Sequence, residues 1–353
     1  MSKVKEFCKR KNIEVSAKRY GVDALGAMAQ GLFCSLLIGT IISTIGQQAG
    51  IDILVDIGTY ASKMAGPAMA CAIGFALQAD PLVLFSLIAV GFSANELGKA
   101  GGPLAVLVIA VIAAELGKAV SKETKIDILV TPAVTILVGV GLSYAIAPPI
   151  GAAAISVGQV IMWATELQPF LMGILVSVIV GIALTLPISS AAICAALGLT
   201  GLAGGAAVAG CCAQMVGFAV MSFRENRWGG IISQGLGTSM LQMGNIVKNP
   251  RIWIPPTLAS AITGPLATCL FKLEMNGAAV SSGMGTCGFV GQIGVYTGWL
   301  SDVASGAKAA ITPMDWVGLV LICFVLPAVL SWFFCEVLRK KGWIGENDLK
   351  LDL

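Results

Sequence analysis

Histidine is absent from all 353 residues. Without it the chain has no imidazole base, no histidine metal ligand and no phosphohistidine relay. Charge is scarce as well: Asp, Glu, Lys and Arg make up 12% of the residues, against about 25% in a soluble domain. So few polar side chains cannot cover a water-exposed surface. A soluble enzyme, a nucleic-acid reader and a disordered chain are excluded on that ground. The 22 Lys+Arg nearly balance the 19 Asp+Glu, so no polyanionic partner is implied. None of the ten cysteines forms a Cys-x-x-Cys pair, and Cys211 and Cys212 are merely adjacent. Cysteine inside an apolar stretch reads as a small packing residue rather than a metal or redox centre. No nucleophile–base pair, metal cluster or nucleotide loop of the Gly-x-x-x-x-Gly-Lys-Ser/Thr type is visible. No catalytic residue, metal or cofactor is therefore expected.

What the chain does have is apolar length. Hydrophobic residues make up 57% and mean hydropathy is +0.89. The expected fold is an all-α polytopic membrane protein in the plasma membrane. A crossing helix needs about 20 mainly apolar residues. Spans are read at 22–46, 62–78, 82–95, 103–117, 127–147, 168–186, 251–271 and 314–337, with two more in 188–222 divided near Gly201–Gly205. Breaks fall at Gly66-Pro67, Asp80-Pro81 and Gly101-Gly102-Pro103. The pentapeptide Glu-Leu-Gly-Lys-Ala occurs at 96–100 and 115–119. Those copies bracket the fourth span, because about 1.5 Å per residue carries their spacing across one bilayer core. Residues 148–166, broken at Pro148-Pro149 and polar near Glu166, read as an interfacial helix.

Basic residues cluster at 3–19, 118–125, 224–227, 248–251 and 339–341. The positive-inside rule puts all five on the cytoplasmic side. Ten crossings satisfy this with both termini inside. The long apolar run after residue 20 excludes a cleaved signal peptide. Trp163, Trp228, Trp253, Trp299, Trp316 and Trp343 fall near span ends, as an aromatic belt requires. The resulting organisation is a basic segment 1–20, an N-terminal bundle 21–147, an amphipathic linker 148–167, a C-terminal binding domain 168–338 and a tail 339–353.

Two segments resist the helix pattern. Residues 231–245 and 276–294 each hold Gly-x-Gly-Thr, at 235–238 and 283–286, followed by Gln-x-Gly, at 242–244 and 292–294. They are apolar enough for the membrane yet too rich in Gly, Ser and Gln to face lipid. Non-helical backbone at that depth survives only buried in protein or lining a wet cavity. They read as re-entrant hairpins within 228–248 and 276–297, the first dipping from the cytoplasm and the second from outside, with a solute between them. The alternative is a pair of loosely packed glycine-rich helices. The interior polar residues are mainly neutral and include Gln214 and Ser239. That suits a neutral polyol or amide-like solute, or an anion held by backbone N–H groups.

The order of these features resembles the membrane-embedded IIC component of bacterial phosphotransferase systems, and its PfoR-like branch most. The resemblance rests on Gly101-Gly102-Pro103, Thr131-Pro132, Ala147-Pro148-Pro149-Ile150-Gly151, Asn249-Pro250-Arg251-Ile252-Trp253-Ile254-Pro255-Pro256 and the Gly-Met-Gly-Thr hairpin. It implies ten spans, two hairpins, a homodimer formed by the N-terminal half, elevator movement of the C-terminal half, and a cytoplasmic phosphocarrier subunit as partner. Sugar-transporting members carry a histidine after the sixth span and a glutamate in the second hairpin. Here Leu186-Pro187-Ile188-Ser189-Ser190 holds no histidine, and 277–297 holds no acid. No phosphocarrier domain is seen within the chain. The substrate-binding set read from these segments is Ser189, Ser190, Gln234, Thr238, Gln242, Asn245, Asn276, Ser281, Ser282, Gly283, Gly285, Thr286 and Gln292, with Glu274 as either a ligand contact or an interfacial acid near Lys272. Two functions follow: a transporter of a small polar solute without His-assisted phosphorylation coupling, or a sensor that kept the frame and lost turnover.

Overall fold

The computed structural model describes residues 3–351 and divides the chain into two compact units, Met1–Ala153 and Ala154–Leu353. Among the described residues the fold is helical, with one isolated antiparallel bridge between Gly201 and Met275. Among the described residues, five helical stretches are long and apolar enough to cross a membrane: Arg19–Ala49, Pro81–Val120, Asp127–Thr165, Gly201–Met221 and Pro313–Lys340. Ala65–Ala76 and Pro169–Thr185 are apolar but shorter.

In the first unit, the expected start at Gly101-Gly102-Pro103 is present. Lys99 adopts φ +48°, ψ −120°, which ends helix Pro81–Gly98, and Gly102–Val120 begins with Pro103 in its first turn. The two helices then pack on each other. A helix at Asp52–Lys63 was not expected; it packs against Ile38–Ala49. Between Ala65–Ala76 and Pro81–Gly98 the contact is backbone to backbone. A Cβ on Gly66 would lie 2.3 Å from the Gly91 carbonyl oxygen, and a Cβ on Gly91 would lie 2.3 Å from that of Gly66. Small residues permit such approach where lipid supplies no hydrophobic driving force between helices.

One expectation fails in the next helix. Residues 148–165 are not a separate linker: Asp127–Thr165 runs unbroken through Pro132, Pro148 and Pro149. A proline removes one N–H and strains the preceding turn. A membrane helix tolerates that loss when its neighbours satisfy the freed carbonyls. The division between the units falls inside this helix, at 153/154, rather than at 147/148.

The basic clusters 3–19 and 118–125 meet at one end of the first unit. Lys118, 2% exposed, donates to the carbonyls of Asn12 (2.9 Å) and Leu77 (3.0 Å) and pairs with Glu115 at 2.8 Å. Arg19 donates to the Leu77 carbonyl at 2.8 Å. Arg10 and Lys11 pair with Glu123, and Lys122 pairs with Asp80. The second copy of Glu-Leu-Gly-Lys-Ala therefore does more than mark a span end: its lysine is a buried tie.

In the second unit the buried axis is Gly201–Met221, a run of Gly, Ala and Cys. It packs on Pro169–Thr185, Ile254–Pro265 and Leu326–Lys340. The first of the two spans expected within 188–222 is only Ser190–Leu197, eight residues closed by Gly198 at φ +60°. Two tryptophans leave the expected belt. Trp299 is 2% exposed and stacks edge-on against Trp316 at 5.5 Å. The Trp253 indole N–H donates inward to Gln214 at 2.9 Å.

Two outcomes test this packing. A Cβ on Gly210 would sit 1.9 Å from the Ser177 carbonyl oxygen, so Gly210→Val should cost roughly 1–3 kcal/mol or more by overpacking. Gly141→Ala, with nothing within 4 Å of the new carbon, should leave the melting temperature in detergent unchanged or slightly raised. At the polar end, Lys122, with the Ser121 hydroxyl, holds the Asp80 carboxyl below the usual carboxylate range. A depressed carboxyl stabilises the fold above its unfolded pKa of about 3.9, and the contribution disappears as pH falls through the lower folded-state value. The pair is partly exposed, so Asp80→Asn should cost less than about 1 kcal/mol at pH 7. That difference should shrink in acid melting curves as pH falls below about 3.9 and vanish once the folded-state carboxyl is protonated.

Candidate functional site

The two glycine-rich segments are broken backbone, as their composition predicts. In the first, helix Phe223–Ile232 is interrupted at Arg227 (φ +51°). A wide helical turn, Ser233–Gly237, follows. Thr238 is extended, and its hydroxyl accepts from the Met240 amide at 3.1 Å. Two short helices, Ser239–Gln242 and Met243–Lys248, complete the segment. In the second, Ala279–Gly283 is one tight turn and Cys287–Phe289 another. Gly285 (φ +55°) and Gly288 (φ +50°) reverse the chain before helix Val290–Ala304. Gly285 is confined in a second way: a Cβ there would meet the Cys211 Cβ at 2.7 Å.

The tips touch. The Thr286 hydroxyl of the second segment donates to the Gly235 carbonyl of the first, and both residues belong to the repeated Gly-x-Gly-Thr. Thr286 is fully buried, with Met215 Sδ 3.6 Å away. The second tip is also tied to the Ser190–Leu199 region. Ser190 donates to the Gly283 carbonyl at 2.7 Å, and Ser282 to the Leu199 carbonyl at 2.6 Å.

Three polar groups surround this junction. Gln234, Gln242 and Asn245 form a buried amide chain: Gln242 Nε2 donates to Gln234 Oε1 at 2.9 Å, and Asn245 Nδ2 to Gln242 Oε1 at 2.8 Å. Gln234 also donates to the Ser222 hydroxyl at 2.9 Å and the Gly230 carbonyl at 3.1 Å. A second chain runs from Ser239 through the Thr185 hydroxyl (2.8 Å) to Gln214 (3.3 Å), which in turn meets Thr257 and Trp253. The third is Gln292, 7% exposed. Its Nε2 lies 3.2 Å from Cys212 Sγ, while its Oε1 is buried with no protein partner. A buried unpaired acceptor costs about 1–3 kcal/mol, and Ser233 Oγ in the first segment is likewise buried without a partner.

Of the expected site residues, Gln234, Thr238, Gln242, Asn245, Ser281, Ser282, Gly283, Gly285, Thr286, Gln292 and Ser190 are buried in the two segments or against them. Three are not brought in. Glu274 is exposed. Asn276 is half-buried and used by the Gly201 amide, Glu274 and Asp302. Ser189 caps Ser190–Leu197 by accepting from the Ala192 amide. Thr185, Ser222, Thr257 and Trp253 belong to the polar core but were not singled out. Isolated hydroxyls in apolar helices give no sequence signal, and Trp253 resembles a belt residue.

Removing the joint should be measurable. Thr286→Val keeps the shape but orphans the Gly235 carbonyl, at a cost of about 1–3 kcal/mol. Hydrogen exchange should speed up in 233–238 and 283–289 while Gly201–Met221 keeps its protection.

A family model described as "Phosphotransferase system, EIIC" matches residues 22–351. No curated protein and no solved structure matches the chain.

Proposed function

The chain belongs to the phosphotransferase system EIIC family, the membrane component of sugar transport in such systems, and from that premise we propose that it binds a small polar solute between its two glycine-rich segments. The observation that carries this is the meeting of the two Gly-x-Gly-Thr tips beside an unpaired, buried Gln292 Oε1. A solute hydroxyl donating to that oxygen would restore the lost hydrogen bond. The neutral amides and hydroxyls of the two segments match a sugar, polyol or related metabolite better than an ion. The segments act as re-entrant hairpins from opposite faces in a ten-span frame. Elevator movement of the C-terminal unit then gives alternating access, and the N-terminal unit serves as the scaffold of a homodimer. The five basic clusters face the cytoplasm. Within the family, the PfoR-like branch fits best.

Phosphorylation coupling is altered in this reading. A IIC protein presents its sugar to a phosphocarrier and takes no phosphate itself. With no histidine in the chain and no acid at the second tip, nothing of that kind orients a reacting hydroxyl toward a partner. The same absence favours a second reading, a sensor that binds without flux.

Purified protein screened against neutral sugars and polyols should gain thermal stability from one chemical class. Saturation at 100 times Kd is worth about 2.7 kcal/mol. Gln292→Ala should abolish that gain with little effect on the melting temperature of the free protein; an undiminished gain in this variant defeats the proposed site. Counterflow in proteoliposomes separates the two functions, since robust exchange rejects the sensor.

A further inference from the structure

The amides expected to hold solute are partly engaged already, by the chain itself. Asn226 Nδ2 donates to the Leu349 carbonyl at 2.7 Å, and Asn226 Oδ1 accepts from the Leu351 amide at 2.8 Å. Gln242 Nε2 donates to the Leu349 carbonyl at 3.0 Å, and Asn245 Nδ2 to the Lys350 carbonyl at 2.8 Å. Asn249 Nδ2 donates to the Trp343 carbonyl at 2.9 Å and to Asp348 Oδ2 at 2.7 Å. Four side-chain amides thus read the backbone of 343–351 as a groove reads an extended peptide ligand. Only Ile344 and Leu349 of that segment are buried, while 345–347 and Lys350 are exposed. Its link to helix Leu326–Lys340 passes through Gly342 at φ +68°, with nothing near the position of a Cβ.

We propose that residues 343–351 are a detachable cap: they dock on the amide row Asn226, Gln242, Asn245 and Asn249 and close the first glycine-rich segment on the side of the basic clusters 224–227, 248–251 and 339–341. The docking stands on its own geometry; only what the cap closes rests on the solute-binding reading. Two features mark it as a cap rather than a fixed wall. Its contacts are mostly to peptide backbone, which any extended segment supplies. It also engages only the second N–H of Gln242, whose first N–H donates to Gln234 and whose oxygen accepts from Asn245, so the buried amide chain persists when the segment undocks. Each hydrogen bond lost shifts the docked-to-free equilibrium by roughly fivefold.

The test is hydrogen exchange by mass spectrometry on three proteins in detergent: wild type, a variant ending at Gly342, and full-length Asn226→Ala. Ending at Gly342 should speed exchange in 239–248 at least tenfold while Gly201–Met221 stays protected. A synthetic peptide of residues 343–353 added in trans should restore that protection in a saturable manner. Unchanged exchange in the shortened protein, or no rescue by the peptide, overturns the proposal. Should the shortened protein fail to fold, Asn226→Ala decides. Faster exchange in 239–248 and 349–351 alone supports a cap, whereas loss of protection spreading equally through Gly201–Met221 marks a fixed structural strut and defeats it. No solute enters these measurements, so they succeed or fail separately from the binding assay.

Discussion

A peptide N–H or C=O inside a lipid layer has no water to fall back on, and each one left unmet costs several kcal/mol. That constraint governs both units. Long helices meet it internally. Residues 233–242 and 279–289 are not regular α-helix, so their groups must be met by other parts of the protein. The side chains of Ser190 and Thr286 do this for the Gly283 and Gly235 carbonyls, and Ser282 in turn meets the Leu199 carbonyl. The Gln234–Gln242–Asn245 row supports the first segment. The hydroxyl and amide residues crowded into these segments are thus first a structural necessity. Among the described residues of these segments, Ser233 Oγ and Gln292 Oε1 are buried polar atoms without a protein partner.

Close approach is the second device. Gly173 against Gly264, Gly181 against Gly210 and Gly205 against Leu273 bring backbones within reach of carbonyl oxygens, where any Cβ would collide. Packing of this kind is rigid across a face and carries no charge. It leaves the charged residues for the ends. There Arg339 pairs with Glu225 at 2.7 Å and Arg224 with Glu336 at 2.8 Å, on the same side as the docked segment 343–351.

Much of the frame was legible in the residue order because lipid imposes a strong, local rule on hydropathy and charge. The helix start at Gly102-Pro103, the shape of Pro169–Thr185 and the broken character of both glycine-rich segments follow from it. The proline pair at 148–149 misled, since a proline inside a membrane helix loses only a local hydrogen bond and the rest of the helix persists. Helix Asp52–Lys63 was hidden by its polar composition. Within the site, residues on the two segments were readable as a set. Thr185, Ser222 and Trp253 were not, because their part comes from which helices lie beside them.

Composition and order alone determined the solvent of this protein and the places where its helices fail, because hydropathy, glycine content and proline placement act over a few residues at a time. Tertiary structure decided what each polar side chain answers to. It joined Thr286 to Gly235 across 51 positions and turned Gln242 toward the Leu349 carbonyl across 107. It also left Glu274 outside. Pairings between residues so far apart depend on how whole helices dock, and no local rule encodes that.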